Sequence, residues 1–175
     1  MDDTRFGVAE GQADRLVDAY AYRPGQSPKM INAGATSKLN QPGTFDSGGG
    51  GLIGTIADYH RFATMLLNGG ELDGVRLLGR KTVDRMTTNS VGDLDVRFAE
   101  LQGDKMGLGL AVREDRGRFG GLESVGTFAW SGGFTAHFWA DPAQDLIGVV
   151  LSQYSSSNVA FLQTCRSLAY QALVD

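Results

Sequence analysis

Cysteine occurs once, at Cys165, histidine twice, at His60 and His137, and no apolar stretch approaches the roughly 18 residues that a membrane-spanning helix needs. A single cysteine excludes an internal disulfide, and nothing places it beside a histidine, so Cys165 reads as a small hydrophobe on a helix. Neither histidine has a metal-ligand partner at helical or hairpin spacing, so a zinc site has no support. Positive charge is also short: 16 lysines and arginines face 20 carboxylates, a formal charge of −4. No basic stripe is left to draw the chain to nucleic acid or to an anionic membrane surface. The opening Met1-Asp2-Asp3-Thr4-Arg5 is acidic where a signal peptide would be basic and then apolar, so no address is legible and localisation stays open.

Glycine is what the chain has in excess, with 25 in 175 residues, about twice the usual share. Its clusters mark places where the backbone must turn tightly or come close to something. Otherwise the composition is that of one globular core, 42% hydrophobic and 21% charged.

Residues 1–41 are irregular, with a helical turn near Gln12 to Asp18 and a strand at Ala19 to Arg23 stopped by Pro24-Gly25. After the run Gly48 to Gly51, Thr55 is placed as the N-cap of a helix. Ile56, Tyr59, Phe62, Ala63, Leu66 and Leu67 recur at helical spacing, and Asn68-Gly69-Gly70 supplies the stop. A shorter helix is predicted from Arg80 to Thr87. Alternation of Met106, Leu108, Leu110 and Val112 predicts a half-buried strand, followed by strands at Thr127 to Trp130, Phe134 to Ala140 and Leu146 to Leu151. The last of these is apolar throughout and needs cover on both faces. A terminal helix from about Asn158, with Phe161, Leu162, Cys165, Leu168, Ala169 and Leu173 on one side, can supply part of it. The expected class is α+β, an antiparallel sheet packed against helices.

Gly49-Gly50-Gly51-Leu52-Ile53-Gly54-Thr55, Asp58-Tyr59, Met65-Leu66-Leu67-Asn68-Gly69-Gly70 and Gly74-Val75-Arg76-Leu77-Leu78 together resemble a long signature of the β-lactamase-related serine hydrolases. Gly107-Leu108-Gly109, Trp130-Ser131-Gly132-Gly133, Asp141-Pro142 and Asp145-Leu146-Ile147-Gly148-Val149 continue it. This group includes penicillin-binding proteins, class C β-lactamases and esterases of the same fold. The resemblance implies a Ser-x-x-Lys nucleophile, a Tyr-x-Asn that assists proton transfer, and a third motif on a sheet strand, with no cofactor. Only the third maps here. Trp130, Ser131 and Gly132 stand at the third motif as substrate contacts, and the N–H of Gly133 would be one of two oxyanion-hole donors. Lys29, Lys38, Lys81 and Lys105 have no serine three residues earlier, and none of the five tyrosines has an asparagine two residues on. Residues 1–175 therefore read as one partial domain, the C-terminal part of the β-lactamase/penicillin-binding protein fold.

Blander readings stand beside these. Trp130 to Gly133 would also suit a strand end with a packed tryptophan. Ala129-Trp130-Ser131-Gly132-Gly133 echoes a Gly-x-Ser-x-Gly elbow, but the predicted continuation is a strand and not a helix. The Gly48 to Gly51 run is not followed by Gly-Lys-Ser/Thr, which argues against a phosphate cradle. His60 and His137 read as solvated or structurally hydrogen-bonded, and Asp93, Asp95, Asp104 and Glu114 as solvated loop carboxylates.

Two functions follow. In the first, the chain supplies the third-motif strand and part of the oxyanion hole to acyl transfer on a small-molecule ester or β-lactam-like substrate, the nucleophile coming from another segment or another chain, and is inactive alone. In the second it is a non-catalytic binding or assembly module that keeps the sheet. Either way an unpaired sheet edge and an uncovered apolar face predict homo-oligomerisation or instability.

Overall fold

The computed structural model describes residues 1–21, 23, 25–34, 46–98, 101–116, 121–155 and 158–174. Its centre is a five-stranded antiparallel sheet in the order β11-β10-β9-β8-β7, built from β7 (Lys105–Met106), β8 (Ala111–Val112), β9 (Phe128–Gly132), β10 (Ala136–Asp141) and β11 (Leu146–Val150). Helices α1 (Ile56–Leu67) and α3 (Val159–Gln171) pack against it, and α2 (Arg80–Met86) lies near the end of α1. The α+β class expected from the sequence is the class observed. Among the described residues no helix is long and apolar enough to cross a membrane.

Strand alternation divides the sheet into two faces. Val112, Phe128, Phe138 and Ala140 join Ala63, Met65 and Leu66 of α1 in one core, with Ile147 and Val149 against it. Ala111, Ala129 and Trp139 form the other with Tyr170 of α3, and with Leu146 and Val150 alongside. The apolar run of β11 is thus shared between two cores, as its lack of alternation required.

Helix α1 begins where its cap chemistry places it: the Thr55 side chain accepts from the N–H of Asp58 at 3.2 Å. Asp58 is itself buried, and it accepts from the N–H of Asp3 at 3.0 Å and from the Thr4 hydroxyl at 2.9 Å. The N-terminal stretch is held there by this carboxylate and by pairing of β1 (Arg5–Phe6) with β4 (Leu52–Ile53). Ile56, expected inward, is 54% exposed, while Met65 is buried. The predicted strand at Ala19 to Arg23 is observed as β2 (Ala19–Ala21), paired with β3 (Lys29–Asn32); its expected stop at Pro24 lies outside the described residues.

Two expectations need correction. Met106 to Val112 is not one strand but two, β7 and β8, paired antiparallel with Lys105 opposite Val112. Gly109 at φ +80° turns the chain between them, a conformation alternation cannot reveal. The terminal helix buries Leu162 and Tyr170, whereas Phe161 and Leu168 are 45% and 60% exposed, so its buried stripe is rotated from the apolar one.

Gly148 shows close approach. It lies opposite Trp139 in the β10–β11 register, and a Cβ built on it would sit 2.1 Å from the indole ring. The indole occupies the space a side chain would need. Gly148→Ala is expected to destabilise the fold by about 1–3 kcal/mol through overpacking, read as a lower urea midpoint with unchanged slope.

Candidate active site

Trp130, Ser131 and Gly132 are the last three residues of β9, and Gly133-Phe134-Thr135 connects them to β10. The register pairs Gly132 with Ala136, Ser131 with His137 and Trp130 with Phe138. The connection is fixed from behind. Ser152 donates its hydroxyl to the Phe134 carbonyl at 2.7 Å, and the Thr135 hydroxyl donates to the Tyr154 carbonyl at 3.3 Å. Thr135 is buried at φ +54°, the left-handed position that closes a three-residue hairpin loop and that a β-branched residue rarely takes.

The glycines have no internal reason to be glycines. Neither has a positive φ. A Cβ on Gly133 would meet nothing within 4 Å, and one on Gly132 only the Ala136 Cβ at 3.5 Å. Both are exposed. Their missing side chains leave an open floor at the strand end, where an outside group can reach the backbone.

Trp130 and Ser131 point to opposite faces. Trp130 shares the α1 face with Phe138 and meets Phe98 edge to face, with centroids 5.7 Å apart and planes at 80°. Ser131 faces the other way, its Oγ 2.8 Å from Nδ1 of the buried His137. The structure therefore groups Trp130, Gly132 and Gly133 and sets the Ser131 side chain apart, leaving Ser131 only a backbone contact with anything at the Trp130 face. The hydrogen-bonded reading of His137 agrees with this geometry. His60 is exposed on α1. Among the described residues there is no group of three or more His, Cys, Asp or Glu able to hold a metal.

At the opposite end of β9 lies a cluster the sequence reading missed. Arg113, just past β8, pairs with Asp104 and with Glu123 at 3.4 Å, and Glu123 also pairs with Arg166 of α3. Asp104 is thus a buried ion-pair partner and not a solvated loop residue, because Arg113 supplies the charge that lets it leave water. Burial and the neighbouring Arg113 bring the Arg166 guanidinium down to about 10, still protonated at neutral pH. Asp141, fully buried, accepts from the N–H of Ser124 at 2.9 Å, the N–H of Ala143 at 3.0 Å and the Tyr170 hydroxyl at 2.8 Å. Burial would raise its pKa, but these donors outweigh that and hold the carboxyl below its usual range. Burial and donation to Asp141 push the Tyr170 phenol up. A sequence signal existed for part of this: Arg166 sits one turn from Leu162 and Tyr170, on the buried side of α3.

The beta-lactamase family profile matches residues 1–171. The chain belongs to the beta-lactamase family. Protein Rv1367c of Mycobacterium tuberculosis is 34% identical over 162 residues, 88% of this chain and 40% of that protein. Among solved structures, EstCE1, a hydrolase with promiscuous acyltransferase activity, superposes with a TM-score of 0.77 at 22% identity, covering 95% of this chain and 46% of its own. A LovD6 mutant of simvastatin synthase from Aspergillus terreus gives 0.78 at 18% identity, covering 97% and 46%. These structures share the fold. The chain spans less than half the length of the relatives it matches.

Two outcomes are expected within this beta-lactamase-family fold. Ser131→Ala removes the hydroxyl that meets His137 Nδ1 at 2.8 Å and is expected to cost about 1 kcal/mol in a denaturant melt. Asp141→Asn is expected to lower stability at pH 7 by about 2–4 kcal/mol, since it weakens a buried, charge-assisted cluster. Because the folded carboxyl titrates lower than its unfolded value of about 4, the stabilisation it supplies is complete above that value and is lost as pH falls toward the folded one. Thermal melts from pH 7 to 2.5 should therefore fall less steeply on the acid side for Asp141→Asn than for the parent.

Proposed function

We propose that this chain supplies one wall of the acyl-transfer site of a serine hydrolase, with Trp130 and Gly132 as substrate contacts, Ser131 contributing backbone, and the N–H of Gly133 as one oxyanion-hole donor. The observation that carries this is the Gly132-Gly133 floor, where neither crowding nor backbone conformation calls for glycine. A serine from a segment bearing Ser-x-x-Lys passes its hydroxyl proton to the assisting Tyr or Lys as its oxygen attacks the carbonyl carbon of a small ester or β-lactam-like substrate. The carbonyl electron pair moves onto oxygen, where the Gly133 N–H and the nucleophile's own N–H stabilise it. Collapse expels the leaving group, which takes a proton from the assisting Tyr or Lys, and water then releases the acyl group.

Ser131 is not the nucleophile in this reading. It lies within a strand, faces away from Trp130 and is engaged by His137, and no helix follows it to form an elbow.

Intact-mass measurement after incubation with a fluorophosphonate, beside a chromogenic short-chain ester assay, tests the proposal. The chain alone should give no adduct and no turnover. Supplying a segment with Ser-x-x-Lys and Tyr-x-Asn should produce turnover, and Gly133→Pro, which lacks the N–H, should then lower kcat by about 10²–10³ while Gly133→Ala loses much less. An adduct on Ser131 with turnover by the chain alone would overturn the proposal, and a stable, cooperatively melting monomer that no such segment activates would favour an assembly module.

A further inference from the structure

Beside the glycine floor stands an aromatic corner whose second ring, Phe98, has no role in the acyl-transfer steps above. Phe98 comes from the loop before β7 and is 60% exposed, although a phenylalanine gains little by lying in water. Its ring meets that of Trp130 at 80° with centroids 5.7 Å apart. Val96 and Leu101, before and after Phe98 in the chain, are buried, and the N–H of Val96 donates to the Asp104 carbonyl at 2.8 Å. Phe98 is thus an exposed aromatic close in the chain to two buried residues, with Trp130 as its ring neighbour and Gly132 two residues further along β9.

Perpendicular rings present one face and one edge at a right angle, a corner that a third flat ring fills with stacked and edge-on contacts together. We infer that Phe98 is a specificity-determining residue, and that the Phe98–Trp130 corner selects substrates whose acyl group carries an aromatic ring. The inference rests on the reading that the end of β9 meets the acyl group. The carbonyl lies over Gly132 and Gly133, and an arylalkanoyl substituent such as phenylacetyl reaches back one or two bonds to the corner. An acetyl group leaves the corner empty.

The chain has two tryptophans, Trp130 and Trp139, so a ¹⁵N–¹H spectrum contains two indole signals. Titration with phenylacetamide, an unreactive acyl analogue, should move the Trp130 signal saturably and leave that of the buried Trp139 in place, which also reports that the fold is intact. Acetamide should move neither. Phe98→Ala should weaken phenylacetamide binding about five- to tenfold, and Phe98→Leu, which keeps bulk without the ring, by a smaller factor. In an active assembly, the ratio of kcat/KM for phenylacetyl over acetyl esters of one leaving group should fall by a similar factor in Phe98→Ala. No saturable shift at Trp130, or a ratio unmoved by Phe98→Ala, overturns the inference. Acetyl-ester turnover with no aromatic preference leaves the acyl-transfer reading standing. Phenylacetamide binding in a chain that no nucleophile segment activates would sink that reading and, with it, Phe98's part in substrate selection, leaving only a ring-binding corner.

Discussion

Glu123 is the hinge of the structure's energetics. It holds Arg113 at the end of β8 and Arg166 on α3, so one buried carboxylate ties the sheet, the segment entering β9 and the terminal helix together. Charges taken out of water are tolerated only in such closed sets, and removing one member leaves its partners stranded at a cost of roughly 3–5 kcal/mol. Asp141 repeats the arrangement a strand away, drawing Ser124 and Tyr170 onto the end of β10. Both sets lie at the end of β9 where the strand begins, and the open glycines lie where it finishes.

That separation gives the strand two tasks along its length and two across it. One end is clamped by buried charge, and the other presents backbone. On one face Ser131 and His137 support each other toward α3, while on the other Trp130 turns toward Phe98. A site that depends on backbone N–H placement needs such a scaffold, because a donor is useful only when it is held still.

Much of this was legible in the sequence. Helical periodicity with a Thr55 cap located α1 to the residue, and apolar runs broken by glycine and Asp-Pro turns located β9, β10 and β11 to within two residues. The glycine pair after Trp130 marked the candidate site, but the pairing of Ser131 with His137 was not legible, because Phe134 reads as strand and instead lies in the connection before β10, which starts at Ala136. The turn at Gly109 escaped because a left-handed residue inside an alternating pattern changes topology without changing hydrophobicity. The ion cluster escaped for a different reason: Asp104, Arg113, Glu123 and Arg166 are far apart in the chain, and a charged residue in a loop reads as solvated until the fold supplies its partner. The corner of Phe98 and Trp130 likewise joins residues more than thirty positions apart.

The strand order carries a last consequence for how the molecule associates. On its outer side β11 has no neighbour in the five-stranded sheet of the described residues, and Leu146-Ile147-Gly148-Val149-Val150 contains none of the charges or prolines that usually blunt an edge. A strand added there would lie about 5 Å beyond β11 and roughly 14 Å from β9. Such an added strand would have β11 and β10 between it and β9, the strand that carries Gly132.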